Sequence, residues 1–188
     1  MYKDFFHYIL IIYFLYGGAL VCSSPKLTYP DIGNPLLYGF NEVIDFKSIH
    51  KGDIDVATSY TLRNADRILA EILAITDTVR TFENTILKID DLYNIISKVW
   101  NLTELLSSTH PSNDIRDEAN KSDLRLQDYM IDISINEDLY QAILTFSKLK
   151  NAQMLTENRK HFLHSELRDF KRSGMELKGE KRKRLKEI

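Results

Sequence analysis

Beyond residue 52 the apolar positions recur every three or four residues, the spacing that places side chains on one face of an α-helix. Ile54, Ala57, Thr61, Ala65, Ile68, Ile72 and Ile75 form the first stripe. It predicts a helix of about 20 residues, with Asp53 or Asp55 available at its start. Thr81 with Asn84 marks the opening of a second helix, in which Phe82, Ile86, Ile89, Tyr93, Ile96, Val99 and Trp100 keep the period and Leu102, Leu105 and Leu106 extend it. Thr109-His110-Pro111-Ser112 is a break, and Ile115, Ala119, Leu126, Tyr129, Met130 and Ile133 mark a third helix after it. Asn136 followed by Glu137 and Asp138 reads as a cap with acids in the positive first turn. Leu139, Tyr140, Ile143, Phe146 and Leu149 line the fourth helix. Leu155-Thr156-Glu157 opens a fifth, carrying Phe162, Leu163, Leu167 and Phe170, and Gly174 can close it in the left-handed conformation of a C-terminal cap.

No strand-like alternation of any length interrupts this series, so the expected fold is all-α, with five to six amphipathic helices over residues 53–188. Residues 24–52 hold three of the four prolines and little periodicity, and are expected to be an extended arm. The last segment, Glu180 to Ile188, begins a helical pattern with Leu185 and Ile188 on one face and breaks off after nine residues. An isolated helix under about 12 residues is marginal in water, so a C-terminal truncation of the helical domain is expected.

Lys3 precedes a nearly unbroken apolar run from Phe5 to Val21, ended by Cys22, Ser23, Ser24 and Pro25. Residues 1–23 therefore predict a signal peptide, with Val21 and Ser23 placed for a cut before Ser24, or an uncleaved anchor that associates residues 5–21 with a membrane. The implied location is the secretory pathway or extracellular space, with membrane anchoring as the alternative. Asn101-Leu102-Thr103 and Asn120-Lys121-Ser122 are glycan acceptor tripeptides for such a compartment.

Composition narrows the chemistry. With 188 residues, 44% apolar and 28% charged, and with 7 Gly and 4 Pro, the chain has the balance of a folded domain and not of a collagen-like or disordered one. Cys22 is the single cysteine, which excludes an intrachain disulfide, multi-cysteine zinc sites and CxxC redox chemistry. The net charge of −2 conceals a basic end, with nine Lys or Arg against four Asp or Glu between Arg168 and Ile188. Lys181-Arg182-Lys183-Arg184 raises nucleic-acid binding, but Leu185 and Ile188 continue a helical period, Glu180 and Glu187 flank it, and no aromatics interleave for base stacking. No nucleic-acid partner is expected. Among the five histidines, only His161 and His164 are close, three apart on a helix, with no evident third metal ligand nearby. No His-Glu-x-x-His, Gly-rich phosphate loop or G-x-S-x-G elbow occurs, and no carboxylate pair stands out as an acid–base couple. The expected catalytic, cofactor-binding and metal-ligating residues in this chain are none.

Several segments, in order along the chain, resemble a known family. They are Asn34-Pro35-Leu36-Leu37, Phe46-Lys47-Ser48-Ile49, Thr81-Phe82-Glu83-Asn84, Trp100 with Leu105, and the run from Leu167 to Leu177 followed by Glu180 to Ile188. Together they resemble the amino-terminal helical region of the zinc oligopeptidases related to thimet oligopeptidase, neurolysin and oligopeptidase A. Lys51-Gly52 and Lys178-Gly179 depart from the family, which usually has proline there. The resemblance implies a zinc metallopeptidase that cleaves short peptides in a deep channel, with this region forming part of a helical wall. Zinc would belong to the full-length family member, and no catalytic residue is carried over because none of the family's zinc positions lies in this sequence. The alternative expectation is a secreted or membrane-anchored helical binding module without catalysis.

Overall fold

The structure is a computed structural model in which residues 33–39 and 42–177 are described. Residues 1–23, for which a signal peptide or anchor is expected, and the basic segment from residue 180 onward lie outside the described residues. Among the described residues six α-helices follow one another: α1 (Asp53–Leu73), α2 (Leu87–Thr109), α3 (Asn113–Ser134), α4 (Glu137–Lys148), the single turn α5 (Lys150–Gln153) and α6 (Glu157–Arg172). No strand occurs among the described residues, so the all-α expectation holds.

Helices α1, α2 and α3 pack on one another as an up-down-up bundle. Ties between α1 and α3 advance together along both helices, from Gly52 with Glu118, through Ser59 with Arg125, to Asp66 with Tyr129, so these two helices run parallel. Ile54, Ile68 and Ile72 of α1 meet Ile89, Leu92 and Ile96 of α2 and Leu126 of α3 in a core where each is at most 1% exposed. Complete burial of an aliphatic side chain of this size stabilises a fold by about 1.5–3 kcal/mol. Helix α4 packs on α1 and α6 packs on α4, which seats Phe146, Leu163 and Phe170 in a second layer.

Local chemistry explains the boundaries. Thr81 accepts from the backbone N–H of Asn84 at 3.1 Å while the Asn84 side chain accepts from the N–H of Thr81 at 2.7 Å, a reciprocal capping box. The turn that follows, Phe82–Ile86, is a wider π-turn before α2 becomes regular. Asn136 Oδ1 accepts from Leu139 N–H at 2.9 Å and opens α4. Gly174, at φ +86°, lets the Gly174 and Met175 N–H groups reach back to Lys171 and Phe170, which closes α6 in a Schellman turn.

The N-cap of α1 is Gly52, at φ +100°, and Asp53 and Asp55 stand in the first turn, where Asp53 accepts from His50 N–H at 2.7 Å. Three expectations change in detail. Ile75 lies beyond the end of α1 and is half-buried. Leu105 is 45% exposed, because the face of α2 that meets the bundle there is carried by Leu102 and Leu106. Leu149 is extended and separates α4 from α5, where Ala152 supplies the buried contact.

Within the stretch that precedes α1, Leu36, Leu37 and Ile49 are buried, and Phe46–Ser48 forms one 3-10 turn. Asn34 donates to the Asp53 carbonyl at 2.8 Å and accepts from Leu36 N–H, so this segment is fastened to the first turn of α1. Lys98 of α2 donates to the Tyr38 carbonyl and sits 5.0 Å from the centre of its ring. Among the described residues no helix is long and apolar enough to cross a membrane; residues 5–21 lie outside them.

Candidate functional site

Two places on the helical body concentrate polar chemistry. The first is a cleft of ≈ 440 Å³ where the N-terminus of α1 meets the flank of α3, lined by Lys51, Gly52, Asp55, Asp114, Glu118 and Lys121 among others. A helix start leaves backbone N–H groups without intrahelical partners and carries partial positive charge. Gly52 has no side chain to supply a cap, and Glu118 takes that role from α3: its two carboxylate oxygens accept from the N–H groups of Gly52 and Asp55, each at 2.8 Å. Asp55 is left free to pair with Arg125, which also donates to Ser59 at 2.9 Å. Lys51 pairs with Asp114 at 3.2 Å. These carboxylates are therefore largely spent on holding α1, α3 and the preceding turn together.

The second place is the junction of α2 and α6. Tyr93 of α2 donates toward Glu166 of α6 across 3.5 Å, and both groups are partly buried. That separation exceeds an ordinary O–H···O bond, so the phenol relieves little of the cost of a carboxylate there. Loss of solvent pushes the Glu166 carboxyl up to about 7, helped by the negative charge of Asp169 one turn on and of Asp90 on α2. Burial, the Glu166 carboxylate and Asp169 push the Tyr93 phenol upward as well. Around this pair α6 is held by Phe162, edge-on to Phe82 at 6.4 Å between centroids, by Arg159 over the Phe82 ring and paired with Glu83, and by Phe170 against Tyr140 of α4.

His161 and His164 are both exposed on α6. No group of three His, Cys, Asp or Glu side chains among the described residues is placed to hold a metal, so zinc finds no fitting ligand set in this part of the chain. Asn101 and Asn120 are exposed, while the hydroxyl residues of their tripeptides, Thr103 and Ser122, face the packing. Sequence reading did not single out Glu166. A signal was available: it stands three residues after Leu163 and four before Phe170, within the apolar stripe of α6, where a carboxylate must lose water.

A family model described as the N-terminal domain of neurolysin/thimet oligopeptidase matches residues 62–182. The chain belongs to this family. The match takes in the capping box at Thr81, Trp100 and the whole of α6, whereas Asn34–Leu37 and Phe46–Ile49 lie before it. A thimet-like oligopeptidase of Dictyostelium discoideum is 32% identical over 126 residues, covering 65% of this chain and 19% of that protein. The mitochondrial intermediate peptidase of Arabidopsis thaliana is 30% identical over 92 residues, covering 49% of this chain and 13% of that protein. The chain thus spans less than a fifth of the length of the curated relatives it matches.

Proposed function

We propose that this chain is the amino-terminal helical portion of a zinc-dependent oligopeptidase that hydrolyses short peptides, and that it forms part of the wall of the substrate channel without supplying the reacting groups. The observation that carries this reading is the family match across residues 62–182, with both relatives bearing peptidase names. What supports a wall is that the polar clusters fasten helices to each other and that the buried side chains are mostly aliphatic and aromatic. Zinc, when bound in such an enzyme, polarises the attacking water; its ligands would come from residues other than those described here. Residues 1–23 would direct the protein to the secretory pathway, or anchor it in a membrane.

The test has two arms. The purified 188-residue chain, supplied with zinc, should leave a quenched fluorescent peptide uncleaved, and chelator-sensitive turnover would refute the non-catalytic role. An antibody against residues 34–188 should detect a native species several times heavier than 21.9 kDa. A species at or just below that mass would favour the second reading, a free-standing helical binding module. That reading draws on the closure of the α1–α3 core within this chain.

A further inference from the structure

A smaller hollow, of ≈ 270 Å³, lies where the C-terminal end of α1 and the 3-10 turn Asp77–Val79 meet α4, lined by Leu73, Asp77, Arg80, Asp138, Gln141 and Thr145 among others. Of the charged side chains that line it only Arg80 is buried, at 4% exposure. A guanidinium carries five N–H donors and accepts nothing. The fold engages Nε, which donates to Asp77 at 2.9 Å, and Nη1, which donates to the Ile72 carbonyl at 3.1 Å. Nη2 bonds nothing among the described residues. Nor is it sealed from solvent, since the buried side-chain atoms left without a partner are the hydroxyls of Thr58 and Thr61. A desolvated cation thus turns unused donors to the hollow, and a carboxylate is the acceptor that bonds them most strongly.

The opposite charge is supplied across the hollow. Asp138, exposed on the first turn of α4, has no hydrogen bond or ion pair among the described residues, and none joins it to Arg80. Asp77 is already committed to Arg80. A simple anion such as phosphate would therefore meet two carboxylates and one guanidinium, a balance that disfavours it. A ligand that carries its own cation beside a carboxylate meets a complement at each end. Sites for drug-sized ligands enclose roughly 300–1,000 Å³, so this hollow takes something smaller. Leu73 and the buried Ala142 give it an apolar side, while Gln141 and Thr145 add an amide and a hydroxyl. We infer that the hollow binds a free α-amino acid with an apolar side chain, its carboxylate on Arg80 and its ammonium on Asp138. The site uses neither zinc nor a substrate channel, so it stands apart from the peptidase reading.

Titration of the full chain with L-leucine at neutral pH, followed residue by residue in amide proton–nitrogen correlation spectra, tests the site. The expected result is a saturable shift, in the millimolar range, confined to residues 73–80 and 138–145. Arg80 also braces α1, so its part is read from the ligand: leucinamide, which lacks the carboxylate, should bind about tenfold more weakly or worse. N-acetyl-L-leucine, which lacks the ammonium, should also bind more weakly than leucine. Asp138→Asn changes an exposed side chain outside the core and should weaken leucine about two- to fivefold, the weight of an exposed ion pair. Shifts that are absent, or scattered over all helices, overturn the inference. So does leucinamide or N-acetyl-L-leucine binding as well as leucine, and so does unchanged leucine affinity in Asp138→Asn. Phosphate that saturates the same amides more tightly than leucine overturns it as well, since the hollow would then select an anion and not a zwitterion.

Discussion

The Glu118 carboxylate accepts from the backbone N–H of Asp55 at 2.8 Å although 63 residues separate them, and its other oxygen takes the N–H of Gly52. In an ordinary capping box the N-cap and third residues satisfy each other. Here the N-cap is a glycine held at φ +100°, and the third residue, Asp55, is committed to Arg125. One carboxylate from α3 does both tasks and thereby fixes the parallel setting of α1 and α3.

Replacing Glu118 therefore costs more than a surface charge would. Glu118→Ala should lower stability by about 1–2 kcal/mol, the size of a lost N-cap. Glu118→Gln keeps one acceptor oxygen but turns an amide N–H₂ toward a backbone donor, so it should recover only part of that loss. Urea unfolding followed by circular dichroism would show the order wild type, Gln, Ala in midpoint. An unchanged midpoint for Glu118→Ala would mean that water caps α1 equally well.

Arg80 closes the other end of α1. It is 4% exposed, donates to the Ile72 carbonyl at 3.1 Å and to Asp77 at 2.9 Å. Arg80→Met removes both bonds and leaves the Ile72 carbonyl only the long bond from Ile75 N–H at 3.3 Å, a loss of about 1.5–3 kcal/mol, the size of a hydrogen bond to a charged group. The Asp77 side chain is 64% exposed, and a pair with one solvated partner contributes under about 1 kcal/mol, so Asp77→Asn should be far milder. Comparable losses for the two variants would show that the ion pair, and not the carbonyl bond, carries the effect.

What the sequence could disclose divides along these lines. Thr81 with Asn84, Asn136 with Leu139, and Gly174 act over three to five residues, so their geometry is implicit in residue type and spacing. The ties that set helix against helix are of another kind. Glu118 to Gly52 and Tyr93 to Glu166 join residues 66 and 73 positions apart; the place of Glu166 in the apolar stripe of α6 is visible locally but its partner is not, and nothing local distinguishes Glu118 from the many carboxylates that solvate helix surfaces. Leu105 and Leu149 fit the period yet miss the core, because a stripe fixes a helix face but not how far a neighbouring helix covers it.

Helix α1 also carries two buried hydroxyls with no hydrogen-bond partner, Thr58 and Thr61, at 0% and 1% exposure. A desolvated hydroxyl that bonds nothing is unfavourable, and valine has nearly the same shape. Thr58→Val and Thr61→Val should each stabilise the fold by about 1 kcal/mol and raise Tm by about 2–4 °C. Calorimetry on the single and double variants checks this. A fall in Tm for either would reveal that its hydroxyl is satisfied in solution.

Trp100 offers a direct readout of α2 against α3, being the one tryptophan in the chain. Its indole N–H donates to Asp123 at 2.6 Å, a charge-assisted bond that joins the two helices on their partly buried seam. Asp123→Ala leaves the N–H without an acceptor and opens the seam to water, at a cost of about 1–2 kcal/mol. Asp123→Asn retains an oxygen and should cost less. The emission of Trp100 should shift to longer wavelength in the alanine variant, and in the wild type it should change together with the helical signal during unfolding, as a cooperative α1–α3 bundle requires. A fluorescence transition that precedes the loss of helix would instead mean that α3 detaches from α2 before the remaining helices melt.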